Sequence, residues 1–127
     1  MKLQIILLAL TITGCSNIIF DGIQFDRYVS LYEQSQDLLE LCTKPDSSLD
    51  LKIGTNKLKE HARHMALYSE LRSNAPEVRT VTETLASMTN ELAERYKTTS
   101  PSTTYCVQKL QNIKDAARTV SATLGAQ

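Results

Sequence analysis

The chain has 127 residues, 14 of them basic and 14 acidic, with no Trp, three Cys and four Gly. That length holds one domain, at most with an appended segment, and is too short for a large multidomain enzyme. Zero formal charge argues against a basic nucleic-acid footprint, and an apolar fraction of 42% against a disordered or collagen-like chain.

The first element is an apolar run from Leu3 to Thr13, preceded by Met1-Lys2 and followed by Gly14-Cys15. One Lys, an apolar stretch of about eleven residues and a small residue before the break are the parts of a secretory signal peptide. The run is too short to cross a bilayer as a helix, which takes about 20 apolar residues.

Ile12-Thr13-Gly14-Cys15 closely resembles the lipobox of bacterial lipoproteins, in which an apolar residue, a small residue and Gly or Ala precede the lipidated Cys. The resemblance implies that residues 1–14 are removed, that the Cys15 thiol carries diacylglycerol, and that the mature chain begins there. Two or more acyl chains hold a protein stably at a membrane, at about 0.8 kcal/mol per buried CH₂. By the enterobacterial sorting rule, Ser16 in place of Asp implies the periplasmic face of the outer membrane. The mature chain keeps 13 basic and 14 acidic side chains, so on this reading lipid, not charge, does the targeting.

Cys42 and Cys106 remain. In an oxidising compartment the pair reads as a disulfide, with two separate buried thiols as the alternative.

Four stretches with apolar residues at helical spacing follow a lipidated tether over 15–23. The first, residues 24–42, places Tyr28, Leu31, Tyr32, Ser35, Leu38, Leu39 and Cys42 on one face, and Lys44-Pro45 ends it. The second, about 49–73, has Leu51, Leu58, Ala62, Met65, Tyr68 and Leu71 as expected core positions, with Asp46 or Ser47 to cap it. Gly54 stands inside it as a weak point of about 1 kcal/mol relative to Ala. Asn74-Ala75-Pro76-Glu77 reads as an N-cap, a first-turn Pro and a Glu three residues on. The third stretch carries Val78, Val81, Leu85, Met88 and Leu92 as a seam, with Tyr96 near its end. After a polar loop over 97–101, the fourth begins near Ser102 and repeats the pattern with Cys106, Leu110, Ile113, Ala117, Val120 and Leu124 before Gly125. Short connections make successive helices antiparallel, so residues 24–127 are expected to form an all-α, up-down-up-down four-helix bundle. In that topology Cys42 and Cys106 fall at one end on adjacent helices.

No pattern carries catalysis. His61 and His64 share a helix face at i and i+3 but lack a third ligand, and a solvated face is the expectation. Glu91 with Glu94, or Glu33 with Asp37 and Glu40, flank the apolar seams where charge is ordinarily solvated. The glycines are dispersed, so no phosphate loop exists. No metal or other cofactor is expected, and no nucleic-acid partner. Ile18, Ile19 and Phe20 lie between the lipid and the first helix, where they dip into the membrane interface or pack under the bundle.

Phe25-Asp26-Arg27-Tyr28-Val29 near the lipid, with Tyr105-Cys106 opening the last helix, is similar to small helical lipoproteins of tailed phages and prophages. That resemblance implies a role at the host envelope. The expected function is a non-enzymatic module that binds or blocks an envelope or periplasmic protein. The alternatives are an inhibitor of a cell-wall-degrading enzyme, acting through 97–101 or 43–48, and the outer-membrane subunit of a phage lysis complex.

Overall fold

The structure is a computed structural model that describes residues 22–72 and 76–125. Expectations that fall on Cys15, Ile18, Ile19, Phe20, the signal segment and the Asn74 cap lie outside the described residues. Four helices follow in order: α1 Gly22–Cys42, α2 Ser48–Leu71, α3 Pro76–Thr98 and α4 Thr103–Gly125. They form the up-down-up-down bundle. The backbones approach most closely in the α2/α3 and α1/α4 pairs, less so in α1/α2 and α3/α4, and the diagonal backbones stay farther apart. The first helix begins at Gly22, two residues before the expected start.

Each helix buries six seam positions spaced alternately four and three. These are Gln24, Tyr28, Leu31, Ser35, Leu38 and Cys42 on α1, and Leu51, Thr55, Leu58, Ala62, Met65 and Ser69 on α2. On α3 they are Val78, Thr82, Leu85, Thr89, Leu92 and Tyr96, and on α4 Cys106, Leu110, Ile113, Ala117, Val120 and Leu124. This is the period of antiparallel bundles, in which knobs of one helix enter holes of its neighbours. Antiparallel order stacks the positions in six levels. Cys42 and Cys106 close one terminal level, and the Tyr28 hydroxyl meets Thr82 Oγ1 near the other end.

Two expectations about the seams need correction. On α3, Val81 and Met88 lie half-buried at the edge of the core, and Thr82 and Thr89 take the interior. Both threonines manage this by turning the hydroxyl back on their own helix. Thr82 Oγ1 donates to Val78 O at 2.6 Å and Thr89 Oγ1 to Leu85 O at 2.9 Å, so neither buried hydroxyl is left without a partner. On α2, Leu71 is 76% exposed. Six residues beyond Met65 it has rotated off the seam, and Ser69 fills the last level.

Gly54 is also more than a weak point. A Cβ there would fall inside van der Waals contact of Leu38 Cδ2. Its missing side chain lets α1 lie close against α2, which offsets the helix-propensity cost.

Candidate functional site

Two grooves open at the end of the bundle closed by the disulfide. Here α1 stops, α2 starts, α3 stops and α4 starts, so both hairpin connections named in the sequence lie side by side. Cys42 and Cys106 are bonded with their Cα atoms 5.7 Å apart. Asp46 adopts φ 57°, the left-handed region that Asp tolerates better than most residues, and this turns the chain from α1 into α2. Ser47 occupies the N-cap position of α2 but makes no side-chain cap bond. Its hydroxyl hydrogen is instead shared between Leu41 O at 2.7 Å and Lys44 O at 2.8 Å, satisfying carbonyls at the end of α1. Across the gap, the Ser48 and Ser100 hydroxyls lie 3.2 Å apart and join the two connections. Ser102 caps α4, its Oγ accepting from Tyr105 N at 3.2 Å.

These loops rim two grooves with Tyr96 in the wall of both. One, of about 400 Å³, is lined by Ser48, Leu49, Lys52, Lys97, Thr99 and Ser100 among others. The other, of about 160 Å³, runs over the disulfide beside Asp46, Ser47 and Pro101. A larger groove of about 600 Å³ continues along α2 past Leu49, Ile53, Lys57 and Glu60. Burial raises the Tyr96 phenol above its ordinary value, and Tyr105 adds to this. It is neutral at physiological pH and serves as an aromatic wall.

Glu94 organises the rim charges. Lys97 Nζ donates to Glu94 Oε1 at 3.0 Å and Lys59 Nζ to the same oxygen at 3.5 Å. The Lys97 hydrogen bond, with its charge and that of Lys59, holds the Glu94 carboxyl below the usual range, and Glu94 in turn raises Lys97. Lys109 pairs with Glu91 at 3.3 Å. Glu91 and Glu94 therefore face separate lysines across neighbouring helices and do not converge. Glu33, Asp37 and Glu40 stand exposed along α1.

The two histidines separate. His64 is exposed, while His61 is half-buried in the α1/α2 groove with Nδ1 3.3 Å from Gln34 Oε1. Burial, Arg27 and His64 together lower its pKa, so the expectation of a solvated face holds for His64 only. Beside it, Arg27 of α1 lies over the Tyr68 ring of α2 at 5.3 Å, a cation–π contact that ties the two helices. Among the described residues no three His, Cys, Asp or Glu side chains are placed to hold a metal ion. The disulfide end thus offers hydroxyls, lysines, an aromatic wall and exposed leucine and isoleucine.

Sequence reading named both loops and Tyr96. It missed that Ser48 and Ser100 join the loops, because side chains 52 residues apart leave no periodic signal. No protein family matches the chain, and neither a curated protein nor a solved structure is detectably similar to it.

Proposed function

We propose that this chain is a lipid-anchored protein of the bacterial envelope, facing the periplasm from the outer membrane, which binds and blocks another envelope protein without catalysis. The observation that carries this reading is that the grooves lie at the end of the first helix that is later in the chain, away from Cys15. The first helix begins seven residues after Cys15 and runs 21 residues away from it, a length of about 30 Å. The disulfide end is therefore the end of the first helix away from Cys15, free to meet a partner. The disulfide itself supports export, since such bonds persist in oxidising compartments. The lipobox resemblance at Ile12-Thr13-Gly14-Cys15 supports the anchor. The joined loops form a groove that receives a segment, which favours binding over inhibition by an inserted loop.

Two measurements test this. Cells expressing the chain and fed radiolabelled palmitate should yield a labelled protein that disappears with Cys15→Ala, and an unlabelled product sinks the anchor. A photo-crosslinking residue at Ser100 should give one discrete envelope adduct, lost on Lys52→Glu with Lys97→Glu, while the same residue at Arg118 gives none. Equal adducts from both ends would overturn the assignment of the binding end.

A further inference from the structure

The near-neutral charge of the chain conceals an uneven distribution among its helices. α1 carries one basic and four acidic side chains, whereas α2 with Arg72 carries five basic and three acidic ones and both histidines. α2 also carries four of the six large apolar side chains that stand exposed among the described residues: Leu49 at 67%, Ile53 at 48%, Leu67 at 51% and Leu71 at 76%. At 3.6 residues per turn these four fall on one line along the helix, on the side opposite Leu51, Leu58 and Ala62 of the core. The stripe is about 33 Å long. Lys52, Lys57, Arg63 and His64 are exposed on the same stretch, and among the described residues Lys52, Lys57 and Arg63 enter no ion pair. α4 has three basic and one acidic side chain as well, but its only such apolar residue is Val107, 37% exposed.

We infer that α2 is a membrane-docking helix: the bundle lies on its α2 side, with the Leu49–Leu71 stripe in the headgroup layer of an anionic phospholipid bilayer. A surface helix of this kind buries its apolar line about 5–10 Å into the interface and sets cations against lipid phosphates. Charge complementarity selects this occupant. A second copy would set one lysine- and arginine-flanked stripe against another, and pairing about the middle of the stripe would put Glu60 opposite Glu60. The inference rests on the anchoring reading, and the tether permits it. Seven residues from Cys15 to Gly22 span up to about 25 Å, and α1 lies one helix diameter, about 10 Å, from α2. In this pose the grooved disulfide end lies alongside the bilayer, level with the extramembrane loops of an integral protein.

The test uses the lipidated protein isolated from membranes, its mass confirming acylation, with Ile53→Cys, Leu67→Cys or Val107→Cys labelled by an environment-sensitive fluorophore under non-reducing conditions. In vesicles containing phosphatidylglycerol, brominated lipid should quench the probes at 53 and 67 about threefold more than the probe at 107. Lys52→Glu with Arg63→Glu, or high salt, should bring them to the level of 107 while helicity is unchanged. Equal quenching at all three positions overturns the inference. So does shielding at 53 and 67 without brominated-lipid quenching, whether from a dimer or from another protein. A mass without acyl chains on Cys15 sinks only the anchor. Salt-sensitive flotation of that protein with phosphatidylglycerol vesicles would still uphold α2 docking, and its absence would not.

Discussion

The bundle is made of two tight helix pairs held by different means. α2 and α3 follow one another in the chain, joined by a short connection, and their seams are rich in hydroxyls: Thr55, Ser69, Thr82 and Thr89 are all buried. α1 and α4 stand at opposite ends of the sequence with no connection of their own. There the Cys42–Cys106 bond supplies the missing link across 64 residues, and the α4 seam is entirely apolar from Leu110 to Leu124. The difference teaches that the hydroxyl-bearing seam positions concentrate where chain connectivity holds the pair, with Gln24 and Ser35 the buried polar residues of α1, and that a covalent clamp stands where connectivity is missing.

Breaking the clamp is the largest perturbation expected. Closing a loop of this length constrains the unfolded chain by about 4 kcal/mol, against a total of about 5–15 kcal/mol for a small domain. Cys42→Ser with Cys106→Ser should therefore lower the stability read from urea unfolding by about 4 kcal/mol. Hydrogen exchange should then quicken in α1 and α4 before α2 and α3. Uniform exchange, or a loss below about 1 kcal/mol, would show that the two pairs do not differ in this way.

The hydroxyl-rich pair is probed more finely. Thr82 Oγ1 uses its only hydrogen on Val78 O at 2.6 Å, so towards Tyr28 it acts as acceptor and the phenol donates. Thr82→Val removes that acceptor and leaves the Tyr28 hydroxyl buried, at about 1–3 kcal/mol. Thr89→Val removes a hydroxyl bonded only to its own helix and should change stability by less than about 0.5 kcal/mol. Equal losses in thermal unfolding would contradict the contrast. The phenol, which reaches Thr82 from α1, also gives the bundle an alkaline limit. Burial outweighs the hydrogen bonds with Thr82 and Gln24 and raises the Tyr28 pKa above 10.0, so the folded state holds its proton longer than the unfolded chain. This contribution is complete below pH 10 and is lost as pH rises through the folded value. Tyr28→Phe should abolish that part of the alkaline unfolding.

Between the pairs, Gly54 sets how closely α1 approaches α2. Gly54→Ala gains about 1 kcal/mol of helix propensity but drives Leu38, buried at 6% exposure, from its place, and overpacking of this kind costs about 1–3 kcal/mol. The net expectation is a loss of about 1 kcal/mol in urea unfolding. Adding Leu38→Val to Gly54→Ala should restore part of it, and a net gain would show that the close approach is slack.

The same contrast decides how much of the molecule was legible. The α4 seam was read completely, because six apolar or cysteine residues at four-and-three spacing admit one register. On α3 the choice between Val81/Met88 and Thr82/Thr89 turned on whether a threonine hydroxyl finds its own helix carbonyl, which hydropathy does not encode. Tyr96 was the available signal, since steps of seven back from it land on Thr89 and Thr82. Leu71 misled because α2 has two apolar lines, and at the helix end a residue of the outer line resembles a continuation of the inner one. Of the candidate site, the loops were legible from their polar, Pro-containing composition. The groove between them depends on Ser48 meeting Ser100 and on Tyr96 standing behind both, contacts that arise only when the bundle closes.

The smallest effect expected concerns the looser α1/α2 seam at His61. Burial, with Arg27 and His64 nearby, holds the imidazole below its ordinary value of 6.5, so the folded protein resists protonation that the unfolded chain accepts. The contribution is complete above pH 6.5 and is lost as pH falls through the folded value. The ring is half exposed, so solvent screens the effect, and acid should loosen this seam without unfolding the bundle. His61→Gln removes the titration and can retain a hydrogen bond to Gln34. Between pH 7.5 and 5.5 the wild-type midpoint in urea should fall slightly more than that of His61→Gln, with hydrogen exchange quickening around Gln34 and not at the clamped α1/α4 face. Parallel midpoints would assign the acid response to other groups, and quickening at α4 would mean that the two seams open together.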